Sequence, residues 1–198
     1  MNNYSTTLKT RGFLYLETKK AAALLLDGLT AAEIKKKSME ENIFLMKTDN
    51  RKQEVASTIL NRLSTIDGHL LKVIVNGDLG TSKLVVFLAI IKSDRLFFEF
   101  MREVFNEKLL LKNNTITGLD FNNFFQRKSE QSDQIARWAD YTYYKLGQVY
   151  RKILTEAGLA KPEKGKLRIY RAVLNQDVVA HIKISGDQLY LNTMTGGA

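Results

Sequence analysis

Cysteine is absent from this chain of 198 residues. No disulfide and no thiolate-bound metal can form, and nothing in the sequence calls for an oxidising compartment. Histidine occurs only at His69 and His181, too few for a His-rich metal site. Each reads as a surface or capping residue rather than a catalytic base. Proline occurs once, at Pro162. A chain so poor in helix breakers, and rich in Leu, Lys, Glu and Ala, points to helices rather than to a sandwich or barrel. Long hydrophobic runs are missing too. The strongest, Leu84 to Ile91, covers eight residues between Lys83 and Lys92, far short of the ~20 that a membrane span needs. The opening MNNYSTTLKTRG carries no apolar signal-peptide segment. A soluble, cytoplasmic protein without a membrane partner is expected.

Recognisable catalytic patterns are also lacking. Gly77-Asp-Leu-Gly-Thr-Ser-Lys83 superficially resembles a phosphate loop. In a true one, lysine precedes Ser/Thr, so that the lysine reaches the terminal phosphates and the hydroxyl reaches magnesium. Here Lys83 follows Thr81 and Ser82, and a turn leading into a helix cap explains the segment better. Gly77 and Gly80 have the spacing of a KH loop, without the RNA-binding sheet that fold requires. There is no G-x-S-x-G elbow and no H-E-x-x-H zinc motif. Glu40 and Glu41 are adjacent, so on a helix they diverge by about 100° and cannot share a metal or a proton. No enzyme activity, cofactor or metal is expected.

What the chain does contain is a core and a charge. Hydrophobic residues make up 44% and aromatics 10% of it, enough to bury a real interior. Net charge is +9, unevenly spread: +4 over residues 1–62, zero over 63–126, +6 over 127–171 and −1 over 172–198. Two basic lobes flanking a neutral middle favour polyanionic partners.

Helical spacing and caps give the outline. A helix from Glu17 ends at Asp27-Gly28, and Thr30-x-x-Glu33 forms a capping box for the next, which carries Lys35, Lys36 and Lys37. A third fits residues 50–66, with Val55, Ala56, Ile59, Leu60, Leu63 and Ile66 on one face. Arg51, Lys52, Ser57, Thr58, Asn61 and Arg62 fall on the other. Leu70–Val75 is an apolar helix or strand. Thr81 or Ser82 is placed to cap a helix through Ile91, Asp94 another through Leu110, and Thr117 one holding Phe121, Phe124 and Phe125. The regular spacing of these aromatics marks them as core. Residues 132–157 read as one long helix with Ile135, Ala139, Leu146, Val149, Ile153 and Leu154 buried. Trp138 reads as a core or domain contact. A strand at 167–170, a helix capped by Asn175 and a returning strand at 188–192 follow. The resulting expectation is an all-α fold with helix-turn-helix elements and a small C-terminal β wing. It divides into a helix-turn-helix-like basic lobe (1–66), a neutral helical core (67–126), and a long helix with a winged-helix-like basic lobe (127–198).

Lys and Arg neutralise phosphates, while Arg, Asn and Gln also read base edges. The DNA-binding candidates are therefore Lys35 and Lys36; Arg51, Lys52, Asn61 and Arg62; the exposed stripe Arg137, Lys145, Gln148 and Lys152; and Lys164, Lys166 and Arg168 of the wing.

Three stretches together carry a family resemblance: Glu17-Thr18-Lys19 with Ala-Ala-Leu-Leu-Leu-Asp-Gly-Leu-Thr and Glu41-Asn42; Lys92-Ser-Asp-Arg-Leu96 with Phe100-Met-Arg-Glu-Val104; and Phe124-Phe125, Trp138, Lys145-Leu146 and Leu154-Thr-Glu-Ala-Gly-Leu159. As a set covering roughly residues 7–160, they resemble the BrxA family of BREX (bacteriophage exclusion) phage-defence systems. The resemblance implies a helical double-stranded DNA binder without activity of its own, encoded beside a methyltransferase and ATPases that are candidate partners. One departure is visible: after the helix starting at Thr30, the connection from Asn42 to Asp49 is longer than a tight helix-turn-helix turn. The alternatives are an adaptor binding acidic surfaces of other BREX proteins, or an RNA binder. A monomer is expected, since no apolar heptad is left over.

Overall fold

The computed structural model describes residues 3–197. It is predominantly helical, and its only β structure among those residues is one small three-stranded sheet. The chain divides into two compact units, one of residues 14–93 and one of the N-terminal segment through Phe13 together with everything from Asp94 onward. No helix among the described residues is long and apolar enough to cross a membrane.

The unit of residues 14–93 is built from five helices: α1 (Tyr15–Leu26), α2 (Ala31–Glu40), α3 (Asp49–Leu63), α4 (Gly68–Asn76) and α5 (Leu79–Ser93). Local chemistry sets most of their beginnings. Thr30 and Glu33 complete the capping box of α2, Thr48 accepts from the Arg51 N–H, and Asp67 accepts from the Leu70 N–H. Asp78 starts α5 by accepting from the Thr81 N–H at 3.0 Å, in place of the expected Thr81 or Ser82 cap. Ser82 is buried instead, donating to the Ile74 carbonyl at 2.6 Å and accepting from Tyr15 Oη at 3.0 Å. The segment 70–75 is helical, with Leu70 and Ile74 inward at four-residue spacing. Asn42 shapes the long connection before α3 by bonding both the carbonyl and the N–H of Met46. Helix α3 departs from its expected polar face: Thr58 and Arg62 are buried beside Ile59 and Leu63. Its buried stripe is wider than the apolar residues alone suggest.

In the other unit, α6 (Arg95–Phe100), a π-helical turn (Met101–Asn106) and α7 (Glu107–Leu110) run on without a break, started by Asp94 accepting from the Phe97 N–H. Strand β1 (Thr115–Ile116) follows, then α8 (Gly118–Gln131), α9 (Asp133–Ala136), α10 (Asp140–Glu156), β2 (Ala160–Glu163), β3 (Lys166–Ile169), α11 (Gln176–Ile184) and α12 (Gln188–Thr195). The sheet is antiparallel in the order β1-β3-β2, with Thr115 opposite Arg168 and Glu163 opposite Lys166. Its core is aromatic. Phe100 stacks on Phe121 at 4.9 Å between centroids, and Phe97 meets Tyr150 at 4.4 Å. Each such buried ring stabilises by about 1.5–3 kcal/mol relative to exposure.

Two expected elements come out differently here. The long helix is interrupted at 137–139, where Ala139 is extended (ψ 149°) and exposed. The interruption is bridged by Tyr143, whose hydroxyl donates to the Ile135 carbonyl at 2.6 Å, an oxygen that also accepts from the Trp138 N–H at 2.9 Å. Trp138 lies in this interruption, 6.2 Å from the Tyr143 ring. Residues 188–192 form the start of a helix rather than a strand. Leu191 and Met194 are buried at three-residue spacing, and the sheet pairs only β1, β3 and β2.

Candidate nucleic-acid interface

Most of the basic candidates in the second unit gather around one helix and one hairpin. Strands β2 and β3 are joined by Lys164-Gly165, both with positive φ (44° and 79°). Two left-handed residues make a type I′ turn, whose twist matches that of paired strands. Lysine is an expensive occupant of this conformation, at roughly 1–2 kcal/mol. Along β3, Leu167 and Ile169 are buried while Lys166 and Arg168 are exposed on the opposite face. Lys161 lies across from Arg168 in the register and adds a third exposed cation.

Helix α10 presents Tyr141, Tyr144, Gln148 and Lys152 to solvent at three- and four-residue spacing. Gln148 Nε2 donates to Tyr144 Oη at 2.7 Å, and the Lys145 ammonium sits 5.4 Å from the Tyr141 ring centroid. Lys152 is well exposed and only loosely paired with Glu156, at 3.7 Å. Arg137 is exposed in the interruption before α10.

Two grooves flank this helix. The first, of about 600 Å³, lies between α10 and the hairpin; Gln148, Arg151, Lys152, Thr155 and Glu156 form one wall, and residues Pro162 to Leu167 form the other. The second, of about 570 Å³, lies between α8 and α10, where Phe121 and Phe125 face Tyr143 and Tyr144. Gln148 and Arg151 line both. Four expected residues, Gln148, Lys152, Lys164 and Lys166, are thus brought to a single groove. Arg168 lies on the exposed face of β3, and Lys145 stands one helical turn before Gln148.

The basic candidates of residues 14–93 are arranged differently. Lys35 and Lys36 are exposed on α2, and Asn61 is exposed on α3. Arg51 is ion-paired with Glu54 at 3.3 Å; Lys52 is paired with Asp49 at 2.8 Å and donates to the Met39 carbonyl at 3.4 Å. Arg62 is only 2% exposed. Its guanidinium is not available to a phosphate, which corrects its place on the expected free face of α3.

Arg151 escaped the sequence reading. Its signal was present, because it follows Gln148 by three residues and so shares that helix face. It was obscured by its neighbours Tyr150 and Ile153, which mark the same turn as core.

The BrxA family model matches residues 2–186. A protein named BREX protein BrxA from Bacillus cereus (strain H3081.97) is 48% identical over 193 residues, covering 98% of this chain and 96% of its own. One of the same name from Escherichia coli O9:H4 (strain HS) is 25% identical, over 72% of this chain and 67% of its own. In three dimensions the chain resembles the crystal structure of an uncharacterized protein from Magnetospirillum magneticum, with a TM-score of 0.85 at 20% identity, covering 99% of this chain and 100% of that one.

Proposed function

The chain belongs to the BrxA family, and on that premise we propose that it is a non-enzymatic, double-stranded DNA-binding component of a BREX phage-defence system. The observation that carries this reading is an element order. From Asp94 onward the chain runs helix (α6 to α7), β1, helix α8, helix α10, then the hairpin β2-β3, with β1 pairing at the far side of β3. That is the order of a winged helix, in which the last helix enters the major groove and the hairpin grips the flanking backbone. The short α9 lies between α8 and α10. Helix α10 supplies Lys145, Gln148 and Lys152 for the groove, and the hairpin supplies Lys164, Lys166 and Arg168 for phosphates. Charge supports the same placement, since the segment 127–171 carries +6 of the net +9.

The test is binding of the full chain to labelled duplex DNA, duplex RNA and single strands across a salt series. Duplex DNA is expected to bind best, with log K falling by about 0.9 per phosphate neutralised for each decade of salt. Absence of duplex binding at low salt would sink the reading. Stoichiometric co-purification with another BREX protein would then favour an adaptor that uses the same cations on acidic protein surfaces.

A further inference from the structure

The geometry points to Arg151 as the centre of a phosphate site, holding one phosphodiester of the duplex backbone where the two grooves beside α10 meet. This rests on the DNA-binding reading and deepens it, since Arg151 was not among the residues that sequence pattern selected.

Three observations carry it. The first is an unanswered charge: among the described residues, no hydrogen-bond acceptor and no carboxylate pairs with the Arg151 guanidinium. The nearest acidic influence, Asp120, is already committed. Its Oδ1 pairs with Lys108 at 2.9 Å, and its Oδ2 accepts from the Thr117 N–H and hydroxyl at 2.7 and 2.8 Å. The second is partial withdrawal from water. Burial pushes the guanidinium below its ordinary pKa and Asp120 offsets this only in part, so the cation has lost hydration without gaining an ionic partner among the described residues. An anionic ligand would restore what folding removed. The third is preorganisation. The guanidinium carbon lies 4.3 Å from the centroid of the Phe121 ring, and a terminal nitrogen lies at the first residue of α8, 3.9 Å from where a Cβ on Gly118 would stand. Stacking holds the plane of the fork while its edge donors remain open to the grooves.

The surroundings suit an anion. In the groove between α10 and the hairpin, Arg151, Lys152, Lys164 and Lys166 face two carboxylates, Glu156 and Glu163. The chemistry is that of arginine rather than lysine. A planar fork meets two phosphate oxygens at once, whereas an ammonium acts as a point charge. The same chemistry would be met by a free phosphate ion, so the experiment separates the two sources.

Wild-type protein, Arg151→Gln and Arg151→Lys are compared for binding to labelled duplex across a salt series, and for melting temperature with and without inorganic phosphate. A duplex backbone site predicts that Arg151→Gln loses roughly ten- to a hundredfold in duplex affinity. Arg151→Lys should keep the salt slope yet recover only part of that loss. Lys183→Arg, exposed on α11 and outside the proposed interface, serves as the reference and should bind as wild type. Should Arg151→Gln fail to fold, Arg151→Lys alone decides: full wild-type affinity would overturn the site. Wild-type duplex binding with an unchanged Arg151→Gln would also overturn it, leaving the DNA reading intact. A wild type that ignores duplex but gains melting temperature from inorganic phosphate through Arg151 would overturn the DNA reading and assign the site to the free ion. No response to either would end both.

Discussion

Two buried polar groups in the unit that contains α10 set opposite expectations for stability. Tyr150 is fully buried among Phe97, Phe100 and Phe125, and its hydroxyl has no hydrogen-bond partner among the described residues. Burial, followed by the charges of Asp94 and Glu99, raises its pKa well above the ordinary value, so it stays neutral. An unpaired buried hydroxyl costs about 1–3 kcal/mol. Tyr150→Phe removes that cost and keeps the ring, so the urea midpoint should rise; a fall would show that the hydroxyl has a partner. Glu99 is the contrasting case. Burial alone would raise its pKa, but hydrogen bonds from Lys128 and Arg95, both at 2.8 Å, outweigh that and bring it below the ordinary value. A folded pKa below the unfolded one gives stability that is fully present above the unfolded value of about 4.3 and is lost as pH falls through the folded value. The difference in urea midpoint between wild type and Glu99→Gln should therefore be widest near neutrality and shrink below about pH 4. A constant difference across that range would place the stabilisation elsewhere in the network.

At the scale of elements, the hairpin's stability and its proposed contact with duplex set opposing demands. Lys164 occupies the first position of a type I′ turn at φ 44°, where asparagine is a much better fit. Lys164→Asn should raise the unfolding free energy by up to about 1 kcal/mol while weakening duplex binding and lowering the salt slope by about one phosphate. Loss of both properties together would mean that the lysine holds the turn through contacts of its own. The helices show why local pattern reads beginnings better than interiors. Thr30, Asp94 and Thr117 act as caps where the sequence placed them, because a cap is a bond between residues three apart. The interruption at 137–139 was not legible in this way. It depends on Tyr143 reaching back to Ile135, and the residues on either side have ordinary helical propensity.

At the scale of the whole molecule, the proposed duplex binding is assigned to one of the two basic surfaces. In the hairpin, Lys164, Lys166 and Arg168 make no ion pair among the described residues, whereas Arg51 and Lys52 are engaged with Glu54 and Asp49. In the duplex-binding experiment, joint replacement of Lys152, Lys164, Lys166 and Arg168 by glutamine should remove most of the affinity and flatten the salt slope by about four. Replacement of Lys35, Lys36 and Asn61 should change both only slightly. The reverse ranking would move the interface to residues 14–93.

The sequence alone determined that the chain is helical, that it carries two basic stretches and that it belongs with BrxA proteins. These rest on composition, on periodicity within a few residues and on short motifs. Tertiary structure decided what those residues face. A two-residue strand at Thr115–Ile116 carries no pattern of its own and exists because β3 offers it an edge. Arg62 turns inward and Arg151 is left without a carboxylate because of neighbours supplied by other helices. The groove between α10 and the hairpin exists only once Pro162 to Leu167 fold back beside α10. Each of these depends on contacts between residues distant in the chain, and local pattern carries no record of such contacts.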